Sequence, residues 1–255
     1  MNMSRWLGVI AVTLTVSGIT LAQPAAPPKP SPTPRRALPK PVVARGFEKF
    51  AHRDASARLI AGSATRPIID SEDHYARGEA HYRARRYKEA VAELRAAIRL
   101  NPVLDEPHYL LALALTELEQ LQEAVREFQQ VIALAMKDDP KLLSYYNIGN
   151  IYADLGDYQN AIDSYQQGIK LDPTLSKPHN NLGLAYAALG RLAEAEAEFA
   201  EAVRLKADYA EAHFNLGVAM TLLGKKQQAE QQQQILTKLK PELAENLGQL
   251  LKSKR

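Results

Sequence analysis

Four histidines in this chain recur at one spacing: His74 and His108 lie 34 residues apart, and so do His179 and His213. Imidazole is the side chain best suited to proton transfer near neutral pH and to metal ligation, so a recurring histidine raises the question of a metallocentre or a general base. Around His179 the question sharpens, because Asn180, Asn181 and Gly183 follow within five residues. A zinc site, however, needs ring nitrogens about 2.0–2.1 Å from a single ion. Histidines at one slot of successive 34-residue segments are held apart by the packed elements between them, so we expect packing rather than metal ligation. The chain has no cysteine, which excludes disulfides, thiolate ligands and cysteine nucleophiles. Zincin, nucleophile-elbow and glycine-rich phosphate motifs do not occur. The acidic residues fall at solvated helical positions, with no isolated pair suited to general acid–base work. The expectation is a chain without catalytic residues, metal or cofactor.

The elements that place these residues are repeats. "HYARGEAHYRARRYKEAVAELRAAIRLNP" begins at His74 and "HYLLALALTELEQLQEAVREFQQVIALAM" at His108. "YYNIGNIYADLGDYQNAIDSYQQGIKLDP" begins at Tyr145, "HNNLGLAYAALGRLAEAEAEFAEAVRLKA" at His179 and "HFNLGVAMTLLGKKQQAEQQQQILTKLKP" at His213. Every step is 34 residues except the one into Tyr145, which is 37 and places an insertion near Lys137–Lys141. A fixed period of this length marks a helical solenoid. Five units follow: 71–104, 105–138, 142–175, 176–209 and 210–243. Counting slots from the first residue of each unit, small residues recur at slot eight (Gly78, Ala112, Gly149, Gly183, Gly217) and slot twenty (Ala90, Ala124, Ala161, Ala195, Ala229). Such residues let two helices approach to about 8–10 Å. Slot twenty-four takes a large residue (Leu94, Phe128, Tyr165, Phe199) until Gln233 replaces it in the last unit. Pro102, Pro173 and Pro241 close three units, while Met136 and Ala207 stand in the other two. Asp139-Pro140 and Ser176 are expected to start helices and to supply capping side chains.

This pattern resembles the tetratricopeptide repeat family over about 173 of 255 residues. The resemblance implies an all-α solenoid of five helix–turn–helix repeats. The amphipathic run from Glu242 to about Lys252 would form a C-terminal capping helix, because a terminal unit must show water a polar face; residues 244–255 hold the end of that helix and a basic tail. The family commonly packs a tryptophan at slot four, where this chain has histidine or Tyr145. Binding in the family usually occurs on the concave face, along the first helix of each unit. The residues implied for peptide contact are Tyr75, Tyr109, Tyr146, Asn180 and Phe214 at slot five, Asn147, Asn181 and Asn215 at slot six, and Asn150 at slot nine. Amides donate and accept at once, as an extended peptide backbone requires, and aromatic neighbours offer apolar area at low entropic cost. The basic positions of the family's carboxylate clamp are missing. Acids at the groove slots (Glu72, Glu79, Glu106, Glu117, Asp154, Glu211) outnumber Arg83 and Lys177, so partners should be neutral or basic protein segments.

Charge is divided unevenly along the chain. Residues 1–70 carry ten Lys/Arg against three acids, a net of +7, and the remainder is −4. Residues 1–22 have the positive start, apolar stretch and small residues before Gln23 of an export signal; left uncleaved, residues 6–22 would tether the protein to a membrane. Residues 23–41 hold eight prolines and form an extended spacer. The basic pre-domain segment 42–70 is expected to be partly helical. Export leaves no role for nucleic acid. The sequence therefore points to an exported, periplasmic or secreted protein-binding scaffold, with a wall- or polysaccharide-associated adaptor as the alternative.

Overall fold

The computed structural model describes residues 66–253, with side chains from Asp70 onward. The expected export signal, the proline-rich spacer and most of the 42–70 segment lie outside the described residues.

Eleven α-helices run through the described residues: α1 (Arg66–Arg83), α2 (Tyr87–Leu100), α3 (Asp105–Glu117), α4 (Leu121–Leu134), α5 (Asp138–Leu155), α6 (Tyr158–Leu171), α7 (Ser176–Ala188), α8 (Leu192–Leu205), α9 (Ala210–Leu222), α10 (Lys226–Leu239) and α11 (Pro241–Ser253). They pair as α1/α2 to α9/α10, one pair per unit, and each second helix also packs on the next first helix. Successive first helices touch each other, whereas no contact of that extent joins successive second helices among the described residues. The first helices therefore form the inner row of the stack.

Sequence explains why the two helices of a unit sit so close. An ideal Cβ built on Gly149 would lie 2.5 Å from the Tyr165 ring, and one on Gly183 would lie 2.7 Å from Phe199. Slot eight is thus the socket for slot twenty-four of the same unit. Leu94, Phe128, Tyr165 and Phe199 are essentially sealed from water there; burying each contributes on the order of 1.5–3 kcal/mol. In the last unit the arrangement changes hands. Leu247 of α11 takes the socket at Gly217, 2.4 Å from its ideal Cβ, while Gln233 donates from Nε2 to the Ala244 carbonyl at 3.1 Å. The residue that departs from the pattern pins the capping helix in place.

The turn within each unit is built once and used five times. The backbone N–H of slot sixteen bonds to the carbonyl of slot eleven in every unit: Arg86 to His81, Gln120 to Leu115, Asp157 to Tyr152, Arg191 to Tyr186 and Lys225 to Met220. This six-residue closure needs a left-handed residue at slot fifteen. Gly156, Gly190 and Gly224 supply it in units three to five, but Arg85 (φ 59°) and Glu119 (φ 61°) are forced into it in units one and two.

Two local expectations need correction. Asp139 and Ser176 do not cap their helices: the cap positions are Lys137 and Leu175, neither with a side-chain bond. Both expected residues are already inside the first turn. Asp157 is a side-chain cap, accepting from the Asn160 backbone N–H at 3.3 Å. The insertion lengthens α5 to 18 residues.

Gly149→Ala should lower the urea midpoint by an amount equivalent to about 1–3 kcal/mol, since the socket is full. Glu119→Gly should raise it by about 1 kcal/mol by relieving the left-handed strain.

Candidate functional site on the inner row of helices

The recurring histidine is positioned by two helices at once. His74, His108 and His179 each place Nδ1 at 2.6–2.7 Å from a carboxylate 19 residues on: Glu93, Glu127 and Glu198. His213 meets Gln232 at 2.7 Å in the same way. Slot four of the first helix is thus clipped to slot twenty-three of the second. In the unit where Tyr145 replaces histidine, slot twenty-three is Ser164, whose hydroxyl turns back to the Asn160 carbonyl at 2.7 Å. These acids are not the solvated residues expected from sequence; the signal that would have revealed them is the Glu or Gln 19 residues after each histidine.

The clip extends to the preceding unit. His179 Nε2 lies 3.3 Å from the Pro173 carbonyl, and His213 Nε2 lies 3.0 Å from the Ala207 carbonyl. The closing residue of a unit contributes its backbone oxygen, so alanine serves there as well as proline. For His179 both partners accept only, and only the doubly protonated ring satisfies both. Burial opposes that charge, but the hydrogen bond and negative charge of Glu198, helped by Pro173 and Glu201, outweigh it and raise the His179 pKa.

The residues assigned to peptide contact are brought together, and chiefly with one another. Asn147 Nδ2 donates to the Tyr109 hydroxyl at 3.2 Å, Asn181 Nδ2 to the Tyr146 hydroxyl at 3.1 Å, and Asn215 Nδ2 to Asn180 Oδ1 at 2.9 Å. Each rung runs from slot six of one unit to slot five of the unit before it. Asn180, an amide where the other units place a ring, supplies the oxygen that its unit must present to Asn215. Asn150 is an acceptor hub, receiving Asn181 at 2.9 Å and the Tyr165 hydroxyl at 2.8 Å. Burial raises the phenol pKa of Tyr109, Tyr146 and Tyr165, which keeps these hydroxyls neutral as the ladder requires. Tyr109, Tyr146, Asn147, Asn180, Phe214 and Asn215 are buried; Tyr75, Asn150 and Asn181 remain partly exposed. Among the described residues, no three His, Cys, Asp or Glu side chains assemble as a metal site, and no helix is long and apolar enough to cross a membrane.

Comparison with known proteins settles the architecture. A family model described as "TPR repeat" matches residues 149–190 and 185–224, and one described as anaphase-promoting complex, cyclosome, subunit 3 matches residues 56–131. The chain is a tetratricopeptide repeat protein. Among curated tetratricopeptide relatives, the small glutamine-rich tetratricopeptide repeat-containing protein 2 of Mycosarcoma maydis is 31% identical over 110 residues, 42% of this chain and 30% of that protein. The photosystem I assembly protein Ycf3 of Acaryochloris marina is 47% identical over 45 residues, 17% of this chain and 27% of that protein. The chain thus matches less than a third of the length of either relative. Solved structures share the tetratricopeptide fold at low identity. MamA from Desulfovibrio magneticus RS-1, solved from residue 41 to its end, has a TM-score of 0.62 at 21% identity, covering 68% of this chain and 96% of that one. YrrB, described as a TPR protein with an unusual peptide-binding site, gives 0.61 at 19%, covering 74% and 100%. Pseudomonas aeruginosa PilF gives 0.57 at 17%, covering 74% and 90%.

Two outcomes test this geometry. The raised pKa means the His179–Glu198 clip stabilises fully below the ordinary histidine value of about 6.5 and loses that contribution as pH rises through the raised value. Glu198→Gln should therefore depress the melting temperature more at pH 6 than at pH 9. Asn181→Ala removes the two bonds that Asn181 donates and the one it accepts from Asn180, and should cost roughly 1–3 kcal/mol in chemical denaturation.

Proposed function

We propose that this protein is an exported scaffold that holds extended protein or peptide segments along its inner row of helices, acting as an assembly or adaptor factor in the cell envelope. The observation that carries this reading is the continuous inner row itself. First helices touch from α1 to α11, and partly exposed Tyr75, Asn150 and Asn181 lie along it with Glu72, Asp154 and Lys177. An unbroken row of helices offering rings, amides and carboxylates suits the many small contacts of an extended chain better than the reaction of a small substrate. The excess of acids at these slots favours neutral or basic partners. Two similar proteins agree in kind: YrrB is described as having an unusual peptide-binding site, and Ycf3 is a photosystem I assembly protein. Export rests on the composition of residues 1–22.

A second reading, a polysaccharide-associated adaptor, draws on the partly exposed rings of Tyr75, Tyr82 and Tyr87, which can stack on sugars as well as on peptides.

A pull-down from an envelope fraction decides between them. Asp154→Lys combined with Lys177→Glu reverses two charges on the row while leaving every asparagine and tyrosine of the ladder in place, and should reduce retention of specific protein partners at least tenfold, with a melting curve to check that the variant folds. Unchanged protein capture by that variant, or retention of glycans alone, would refute the peptide-scaffold reading. A fusion of residues 1–22 to a phosphatase active only outside the cytoplasm should be active.

A further inference from the structure

The inner row changes character at its amino-terminal end. From Tyr109 onward the slot-five side chains are covered by the next first helix, with an amide on each hydroxyl or amide oxygen that units two to four present. Above Tyr75 the ladder is absent, because slot six of the following unit is Leu110, buried in the apolar core. Tyr75 consequently stays partly exposed, and so do Tyr82 and Tyr87, whose rings meet edge-on with centroids 5.6 Å apart.

Carboxylates border these rings. Burial chiefly, and then Glu79, Glu106 and Asp105, push the Tyr75 phenol up. Glu117 does the same beside Tyr82, again after burial, and it also hydrogen-bonds Tyr87. Two cations are nearby: Arg83, which Glu79 holds at 2.7 Å, and Arg85 beside Tyr87. At the other end of the stack each cation has a carboxylate beside it: Lys240 pairs with Glu211 at 2.9 Å, and Lys206, near Tyr209, lies 4.0 Å from Asp208. Units one and two therefore carry a ring-lined strip at which four carboxylates, Glu79, Asp105, Glu106 and Glu117, outnumber Arg83 and Arg85.

We infer that this strip is a docking surface for an arginine-bearing, acid-free extended segment of a partner protein. A guanidinium is planar and weakly hydrated, so it can lie on a tyrosine face while its N–H groups reach a flanking carboxylate. The molecule already contains a contact of this kind, with the Arg191 guanidinium 4.5 Å from the centroid of Tyr186. An extended segment alternating arginine with proline keeps successive cations apart and loses little entropy on docking. This inference rests on the peptide-scaffold reading and adds to it the chemistry of the partner and the end of the row where it binds.

The test uses the full chain and a fluorescent peptide of five Pro-Arg repeats, read by anisotropy at low and physiological salt. Tyr75→Ala with Tyr82→Ala should weaken binding at least tenfold, whereas Tyr75→Phe with Tyr82→Phe should hold it within threefold, because the ring faces remain. Glu106→Gln should weaken it several-fold, and a peptide with citrulline in place of arginine should not bind. Circular dichroism melts check that each variant folds; the phenylalanine pair, Glu106→Gln and the citrulline peptide keep the test decisive if the alanine pair does not. Absence of binding, or binding unmoved by the alanine pair and by Glu106→Gln, overturns the inference. So does equal weakening by Asp154→Lys with Lys177→Glu, which keeps the net charge and would place the peptide on units three and four instead. If the peptide fails while protein capture still depends on Asp154 and Lys177, the strip is refuted and the scaffold reading stands.

Discussion

The close approach of two helices at slot eight is the constraint on which everything else here depends. Tyr165 and Phe199 occupy space that a single methyl group on the facing glycine would fill. That contact fixes the distance and the rotation between the helices of a unit. Once both are fixed, slot four faces slot twenty-three, and the histidine clip follows as geometry. The inner row is likewise a consequence, since each first helix can meet the next only when each pair is equally narrow.

Polar links then add direction to a stack that apolar packing alone would leave loosely specified. The clips join helices within a unit and, at His179 and His213, reach the backbone of the unit before. The ladder joins units along the inner row. Both kinds of link lie at fixed slots, so a shift in register would orphan several buried amides together, each carrying its own desolvation cost. Such groups contribute more to the uniqueness of the stack than to its total stability.

Most of the architecture was legible because it is written five times. Period, unit boundaries and sockets need only comparison of one segment with the next, and small residues at slots eight and twenty have one common physical use. The site was harder to read. Asn147, Asn181 and Asn215 announce themselves as a ladder, but sequence does not say whether a ladder faces a ligand or the neighbouring helix. That depends on how far one first helix overlaps the next, a property of the packed stack. The partners of the histidines are hidden for a different reason. Glu93, Glu127 and Glu198 sit among many exposed acids on the second helices, and only the constant 19-residue offset from a histidine, visible when units are compared, marks them out. Arg85 and Glu119 show the same limit, since nothing in either residue signals the left-handed turn it occupies.

The ladder also sets a grammar for how such a chain can grow or shrink. Tyr75, Tyr109, Tyr146 and Asn180 all present an oxygen at slot five, so losing any one of units two, three or four would still set an asparagine above an acceptor. Phe214 presents none. A unit carrying both that asparagine and a slot-five acceptor could be spliced between any two of the five without leaving an amide unanswered, but not after the fifth. Among the described residues the ladder ends at Phe214 on α9, where a ring without a hydroxyl takes the acceptor's slot and α11 packs beside it.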